Sequence, residues 1–120
     1  MALAGCRTSI RWASMWPASS SVAVGLGAAE ARAQGRRFRT NHEDASQWAT
    51  ATRIAQPCYG YTVLVEEETD RILGAHLLGP RTDETINLFA VAMQAGMPAS
   101  ELQRTLLAYP TSASDVEYML

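Results

Sequence analysis

A predicted β-hairpin places the strongest constraint on how this chain can fold. The segment YGYTVLVEEETDRILGAHLLGP contains two largely apolar stretches, Tyr59–Glu66 and Arg71–Gly79, on either side of the polar turn Glu67–Asp70. Two such stretches joined by a short polar connection are typical of paired antiparallel strands. Gly60 and Gly74 lack side chains, which predicts that another part of the protein approaches the hairpin closely at these points.

The segment after the hairpin predicts a helix that is apolar over most of its surface. TDETINLFAVAMQAGMP begins with Thr82 as a candidate cap, followed by two acidic residues, and ends at Gly96. One face carries four apolar residues at helical spacing: Ile86, Phe89, Ala90 and Met93. Much of the remaining surface is also apolar, so the helix requires burial on two sides. Because a small sheet covers only one side, we predict that these four residues contact another subunit or domain; the alternative is a monomer whose other elements cover the helix.

The segments before the hairpin predict a strand, a short helix and an extended stretch. Ser20–Leu26 contains two valines and suits a first strand. The alanine-rich AAEARAQG that follows suits a helix that stops at Gly35, and RRFRTN then suits a strand. Residues 42–47, HEDASQ, are polar and are predicted to form a loop.

Shorter helical segments are predicted near the C-terminus. ASELQRTLLAYP predicts a helix that carries Leu102, Leu106 and Leu107. Ser112, followed three residues later by Asp115, resembles a capping box at the start of a last helix. Strands and a hairpin followed by helices predict an α+β fold, with an antiparallel sheet whose central β-hairpin is covered by helices.

Length and charge exclude several classes of function. A chain of 120 residues is sufficient for one domain with its own core. We predict that this domain spans residues 19–120 and that residues 1–18 are a poorly ordered leader without a recognised fold. The net charge of -2 gives no electrostatic reason to bind nucleic acid or an anionic membrane. No apolar run is long enough to predict a transmembrane helix, and we expect a cytoplasmic protein.

No arrangement of residues in the sequence predicts a complete catalytic site. Cys6 and Cys58 are far apart and form no CxxC pair, and Cys58 is predicted to be a small buried residue. His42 stands beside two acidic residues in a polar segment without further ligands, so no metal site is expected. His76 lies among apolar residues and is predicted to be a strand histidine with one hydrogen-bond partner. The sequence also contains no complete glycine-rich nucleotide motif.

An ordered set of segments resembles a known family. The set comprises the hairpin strand ILGAHLLGP, the acidic-capped apolar helix and LLAYPT, within a continuous stretch from Tyr59 to Asp115. This stretch resembles the C-terminal dimerisation domain of the pyridine nucleotide-disulfide oxidoreductases, which include glutathione reductase, dihydrolipoamide dehydrogenase and mercuric reductase. VAVGLGAAEARAQG is similar to the start of that domain, so the resemblance covers roughly residues 20–120.

The resemblance implies an interface domain that works inside a larger flavoprotein. In the family this domain packs against its twofold-related copy, and the apolar helix is part of that interface, which implies a homodimer. FAD and NAD(P) are bound by domains that precede it, and the redox-active cysteine pair lies in the FAD domain. Those parts are absent from this sequence, so we expect this chain alone to bind neither cofactor. It looks like a C-terminal fragment or the product of a truncated reading frame.

The family's HPT motif corresponds to Tyr109, Pro110 and Thr111. In the family the histidine reaches into the partner's active site as acid–base for the thiol, and a glutamate five residues later orients it. Tyr109 takes the place of the histidine and Ser114 that of the glutamate, while Asp115 lies one residue further on. The resemblance therefore implies that the Tyr-Pro-Thr segment approaches the partner's flavin and that the peptide bond before Pro110 is cis. A tyrosine hydroxyl, with a reference pKa of about 10, is a poor base at neutral pH, which argues against the family's usual reaction.

Three functions are compatible with these residues. The first is the interface domain of a flavin-dependent oxidoreductase, which acts within a homodimer. The second is a free-standing dimeric module without catalysis, produced by a truncated gene. The third is a small enzyme that uses Tyr109 and Asp115 directly.

Overall fold

A five-stranded antiparallel sheet organises the chain. The computed structural model describes residues 11–16, 19–48, 52 and 58–120. The strands are Arg11–Trp16 (β1), Ser19–Gly25 (β2), Phe38–Asp44 (β3), Gly60–Glu66 (β4) and Ile72–Gly79 (β5). The helices are Ala28–Ala33 (α1), Thr82–Ala95 (α2), Ala99–Arg104 (α3) and Val116–Met119 (α4), with a 3₁₀ helix at Ser112–Asp115. The strand order β1-β2-β5-β4-β3 confirms the predicted α+β fold with the hairpin at its centre.

The central hairpin forms where the sequence predicts it. β4 and β5 pair antiparallel, and the turn between them contains Asp70 in the left-handed region, with φ of 56°. The backbone of Leu26 lies directly against Gly74, where any Cβ would overlap its carbonyl oxygen. This contact confirms the close approach predicted at Gly74. At Gly60 a Cβ would lie 3.3 Å from the carbonyl oxygen of Glu43 on the neighbouring strand.

The main core lies between one face of the sheet and α2. Alternate residues of the inner strands are buried on this face: Val22, Val24, Val63, Val65, Ala75 and Leu77. α2 packs across β2 and β5 and places the fully buried Phe89 against them. The buried Val116 and Met119 of α4 belong to the same core. Burial of each large apolar side chain contributes about 1.5–3 kcal/mol, so this face carries most of the hydrophobic stabilisation.

The opposite face of the sheet carries a smaller apolar cluster beneath α1. Ala31 of α1 packs with Leu64 and Leu73 of the hairpin, and Phe38 lies at the edge of the cluster. The guanidinium carbon of Arg32 lies 5.7 Å from the centre of the Phe38 ring, a cation–π distance. α1 therefore covers part of this face.

Several boundaries differ from the sequence predictions. The predicted loop at residues 42–47 is wrong in its first half, because His42 pairs with Thr62 and Asp44 with Gly60 inside the β3–β4 ladder. Cys58 is exposed, so its predicted burial is wrong. Arg11–Trp16, within the predicted leader, pairs with β2 as an added edge strand. The rest of that leader, residues 1–10 and 17–18, lies outside the described residues.

The ends of two helices also differ from the sequence predictions. Thr82 is not the cap of α2, because Arg81 occupies that position and the Thr82 hydroxyl donates instead to the carbonyl oxygen of Gly79 at 2.9 Å. α3 ends at Arg104, so the prediction that Leu106 and Leu107 belong to this helix is wrong. No helix within the described ranges has the length and apolar character needed to cross a membrane.

Candidate functional site

The Tyr109–Thr111 segment lies on the surface in the loop that follows α3. The peptide bond between Tyr109 and Pro110 is cis, as the resemblance implied. The Tyr109 side chain is 82% exposed, and its hydroxyl has no hydrogen-bond partner in the part of the chain that the structure describes. The phenol is therefore presented to whatever lies beyond this surface.

Ser114 is engaged with the loop itself rather than with Tyr109. Its hydroxyl donates to the carbonyl oxygen of Thr111 at 2.6 Å, and its backbone N–H donates to Thr111 Oγ1 at 3.2 Å. The cap of the 3₁₀ helix is therefore Thr111, one residue before the predicted Ser112, and that prediction is wrong. Because the Ser114 hydroxyl is bonded to Thr111, it cannot orient Tyr109 as a carboxylate would.

Asp115 points into the interior of the domain. It is 9% exposed, and its Oδ2 accepts a hydrogen bond of 2.9 Å from the hydroxyl of Tyr59. Burial, assisted by the neighbouring carboxylate, raises the pKa of Tyr59 far above its ordinary value. The carboxylate is thus bonded to Tyr59 while Tyr109 lies at the surface, so the structure does not bring the Tyr109–Asp115 pair of the third hypothesis together.

Tyr109 borders an open cleft of about 810 Å³ between the end of α3 and α4. The lining residues are Gln103, Arg104, Thr105, Leu106, Leu107, Tyr109, Ser114, Glu117 and Tyr118. Leu106 is 98% exposed and Tyr118 is also largely exposed. The cleft therefore combines apolar side chains with hydroxyl groups and a guanidinium.

The predicted interface residues of α2 fall mainly on its sheet-facing side. Phe89 and Ile86 are buried in the chain's own core, and Ala90 and Met93 are half-buried beside it. The outward side of α2 instead presents Val91, which is 66% exposed. A second subunit could reach Val91 and its neighbours, but not the ring of Phe89.

An aromatic cluster beside the site was missed by sequence reasoning. The Trp48 ring centre lies 6.1 Å from that of Tyr59, 5.5 Å from that of Tyr61 and 5.8 Å from that of Tyr118. The Tyr61 hydroxyl is 2.9 Å from a carboxylate oxygen of Glu43 and 3.1 Å from the Tyr118 carbonyl oxygen, and burial raises its pKa to about 12. Tyr59 immediately precedes β4 and Tyr61 lies within it, so the two-residue spacing in YGY directs both rings to one side of the sheet, and this was the available signal.

The histidines have structural partners. His76 Nε2 lies 3.2 Å from the carbonyl oxygen of Leu26, which confirms the prediction of a strand histidine with one partner. His42 Nδ1 lies 2.7 Å from the hydroxyl of Thr62. Asp44, two residues after His42, accepts two hydrogen bonds from Ser46, and these lower the pKa of the Asp44 carboxyl. Among the described residues no group of three His, Cys, Asp or Glu side chains is placed to hold a metal ion.

Comparison with known proteins connects most of the chain to one domain family. Residues 18–120 match the pyridine nucleotide-disulphide oxidoreductase dimerisation domain. An uncharacterised 19.7 kDa protein in a mercuric resistance operon of Staphylococcus aureus is 39% identical over 97 residues, which are 81% of this chain and 54% of that protein. Human mitochondrial dihydrolipoyl dehydrogenase is 41% identical over 49 residues, which are 41% of this chain and 10% of the enzyme.

Two solved structures share the fold. LpdA from Mycobacterium tuberculosis superposes with a TM-score of 0.82 at 23% identity, over 96% of this chain and 25% of that one. The HOCl-induced flavoprotein disulfide reductase RclA from Escherichia coli superposes with a TM-score of 0.78 at 24% identity, over 82% of this chain and 23% of that one. The chain thus spans about half the length of the staphylococcal relative and about a quarter of these reductases.

Proposed function

Because the chain belongs to the pyridine nucleotide-disulphide oxidoreductase family through its dimerisation domain, we propose that it serves this role in an FAD- and NAD(P)H-dependent oxidoreductase. Two copies associate as a homodimer, and each contributes its Tyr109–Thr111 segment to the flavin site of the other. The observation that carries this proposal is the exposure of Tyr109, on the rim of a cleft, at the position of the family's HPT histidine.

The exposed apolar side chains support association of two copies. Val91, Leu106, Tyr109 and Tyr118 are large hydrophobic residues that the described part of the chain leaves in solvent. Three of them line the same cleft, and their burial in an interface would remove this apolar area from water.

In this proposal a flavin meets the exposed surface around Tyr109. The Tyr-Pro-Thr segment lies on an open surface, and the Thr111 hydroxyl is turned back to the carbonyl oxygen of Ala108. The cleft beside Tyr109 is open to solvent, so we infer that the other contacts of a flavin would come from another domain or subunit. When bound there, FAD would supply the electron transfer, while Tyr109 would offer a hydrogen-bond donor rather than a base.

The oligomeric state of the full chain tests this proposal. Light scattering during size-exclusion chromatography is expected to give the mass of a dimer, and Leu106→Glu is expected to shift the population towards monomer. Glu68→Gln, on the exposed hairpin turn, is a matched control that should leave the dimer unchanged. A stable wild-type monomer at micromolar concentration would contradict the homodimer.

A second candidate is a dimeric module that works without a flavin domain. The size of the staphylococcal relative favours it, because a 19.7 kDa protein is far shorter than the reductases of which this chain spans a quarter. Absorbance at the flavin bands separates the two candidates. A purified chain that is yellow would contradict the module. If the dimer is colourless, the DNA upstream of Met1 separates the two candidates. A nucleotide motif and a Cys-x4-Cys pair encoded there would favour the oxidoreductase, and their absence would favour the module.

A further inference from the structure

We propose that Tyr59 is a positioning residue for the Tyr109–Ser114 segment, and that it acts through Asp115. The inference rests on the proposed function only in assuming that this segment contacts the partner's flavin site. The link itself is defined by contacts within one chain.

Tyr59 is held rigidly on the sheet side of this link. It immediately precedes β4 and is 3% exposed. Its ring lies edge-on to Trp48, and on another side it occupies space that Gly79 leaves open, since a Cβ at residue 79 would overlap the ring. A ring confined in this way fixes the position of its hydroxyl oxygen.

Asp115, the last residue of the 3₁₀ helix, accepts a hydrogen bond from that hydroxyl. The 2.9 Å hydrogen bond between Tyr59 and Asp115 Oδ2 is buried and joins residues 56 positions apart. A buried carboxylate without a donor is costly, so the 3₁₀ helix is stable in this position only while the donor is present. Val116, the next residue, is fully buried, which fixes the direction of the chain at this point.

The 3₁₀ helix passes this constraint to the exposed segment. Thr111 and Ser114 are tied to each other by the capping bonds at the start of the helix, and the Thr111 hydroxyl also bonds to Ala108. Tyr109 lies between Ala108 and Thr111, the two residues that this last hydrogen bond connects. The presentation of its phenol therefore depends on a path from the sheet through Tyr59 and Asp115 to Thr111.

Tyr61, two residues further along the chain in β4, provides a matched control. Its ring also contacts Trp48, and its hydroxyl also bonds to a carboxylate, that of Glu43. Its second partner, however, is the carbonyl oxygen of Tyr118 near the end of α4, not the 3₁₀ helix. Loss of this hydroxyl should therefore leave the Tyr109–Ser114 segment in place.

Backbone amide hydrogen exchange of the full chain tests the inference residue by residue. Two amides report on the 3₁₀ helix: that of Ser114, bonded to Thr111 Oγ1, and that of Val116, bonded to the carbonyl oxygen of Ala113. Tyr59→Phe should raise their exchange rates by about tenfold or more, because a hydrogen bond to a charged group is lost. Asp115→Ala should have the same effect, and the double variant should be no faster than either single one.

A conservative variant separates positioning from a general loss of packing. Asp115→Asn keeps an oxygen acceptor for Tyr59 and should retain exchange close to that of the wild type. Tyr61→Phe should also leave these two amides unchanged. The inference is overturned if Tyr59→Phe leaves both amides slow, if it speeds exchange equally throughout β4 and β5, or if Asp115→Asn is as fast as Asp115→Ala. Should Tyr59→Phe fail to fold, the comparison of the two Asp115 variants decides.

The outcome is distinguishable from failure of the proposed function. A monomeric wild-type chain would contradict the homodimer but would leave the dependence of the Ser114 amide on Tyr59 intact. Conversely, a dimer whose Ser114 exchange does not respond to Tyr59→Phe would contradict the positioning role alone.

Discussion

At the scale of single residues, the chemistry of the Tyr-Pro-Thr segment depends on the hydrogen bonds that Ser114 and Asp115 make. A carboxylate directed at Tyr109 would accept its hydroxyl hydrogen and would raise the pKa of the phenol. Ser114 is bonded to Thr111, however, and Asp115 is bonded to Tyr59. Tyr109 therefore presents its hydroxyl at the surface as a hydrogen-bond donor, which suits the proposed contact with a partner better than proton abstraction from a thiol.

Asp70 is expected to control the acid stability of the hairpin turn. Its carboxylate accepts the Ser100 N–H at 2.9 Å and its carbonyl oxygen accepts the Ala99 N–H at 2.6 Å, so it caps α3 from another element. The hydrogen bonds from Ser100, with a smaller effect of Arg39, hold the pKa of Asp70 below its ordinary value of 3.8. A lowered pKa in the folded state stabilises the protein above the unfolded-state pKa, and this contribution is lost as the pH falls through the folded-state value.

We therefore expect Asp70→Ala to lower the free energy of unfolding by about 2 kcal/mol at neutral pH, because it removes a helix cap and places an alanine in the left-handed region. The difference from wild type should shrink as the pH falls below about 4, near the reference pKa of the carboxyl. Asp70→Asn is the control, because asparagine tolerates the left-handed backbone and keeps an acceptor. Urea denaturation at pH 7 and pH 3 measures both effects, and a pH-independent loss in Asp70→Ala would contradict this role.

Gly74 is expected to be intolerant of any side chain. A Cβ would overlap the carbonyl oxygen of Leu26, and the backbone of Leu26 is itself fixed by a 2.9 Å bond to the carbonyl oxygen of Leu73. Gly74→Ala should destabilise the domain by at least about 2 kcal/mol through overpacking. Gly27→Ala is the control, since its nearest neighbour is a flexible Glu30 oxygen at 3.7 Å, and the change should cost at most about 1 kcal/mol through the less favourable N-cap of α1. Equal denaturation midpoints for the two variants would contradict this expectation.

At the scale of elements, α2 shows how a nearly uniform apolar surface is divided. Periodicity identified Ile86 and Phe89 as one face, and we predicted that this face meets another subunit or domain. β2 and β5 cover this face, because the valine-rich side of the sheet is buried against it in the main core. Val91, on the outer side of α2, stays exposed and is available for contact with a second copy.

Two substitutions on α2 should separate core from interface. Phe89→Ala is expected to cost about 3–5 kcal/mol of stability, because it opens a cavity in the main core. Val91→Glu should leave the stability of the monomer within about 0.5 kcal/mol while weakening the dimer. Denaturation midpoints and sedimentation velocity measure the two effects separately. If Val91→Glu leaves dimerisation unchanged, the interface lies elsewhere, with the cleft around Leu106 as the remaining surface.

At the scale of the whole molecule, the C-terminal segment is tied to the sheet by polar bonds as well as by burial. Tyr59 and Tyr61 of the β4 region bond to Asp115 and to the Tyr118 carbonyl oxygen, respectively. At the sheet edge, Asn41 donates to the carbonyl oxygen of Leu120 at 2.7 Å. These bonds hold α4 and the 3₁₀ helix against the sheet, so the cleft keeps its shape only while they persist.

Alkaline pH should release this segment. The pKa values of Tyr59 and Tyr61 are raised in the folded state, chiefly by burial, so their neutral forms are stabilised by folding. That stabilisation is fully present below an unfolded-state pKa of about 10 and decreases as the pH rises towards the folded-state values, about 12 for Tyr61. The free energy of unfolding should therefore fall above pH 10, and more steeply than in Tyr61→Phe. Tyr118→Phe, at an exposed position, should follow the wild type, and identical slopes for all three proteins would refute the assignment.

The sequence by itself determined the hairpin, α2 and the location of the Tyr-Pro-Thr segment, because strand alternation, helical spacing and a short motif are local patterns. It also indicated the close approach at Gly74, since a glycine inside a strand has few other uses. The tertiary structure alone decided which side of α2 is covered, where Asp115 points and that Arg11–Trp16 joins the sheet edge. These outcomes depend on contacts between residues far apart in the chain, such as the 56 positions between Tyr59 and Asp115, and no local pattern records them.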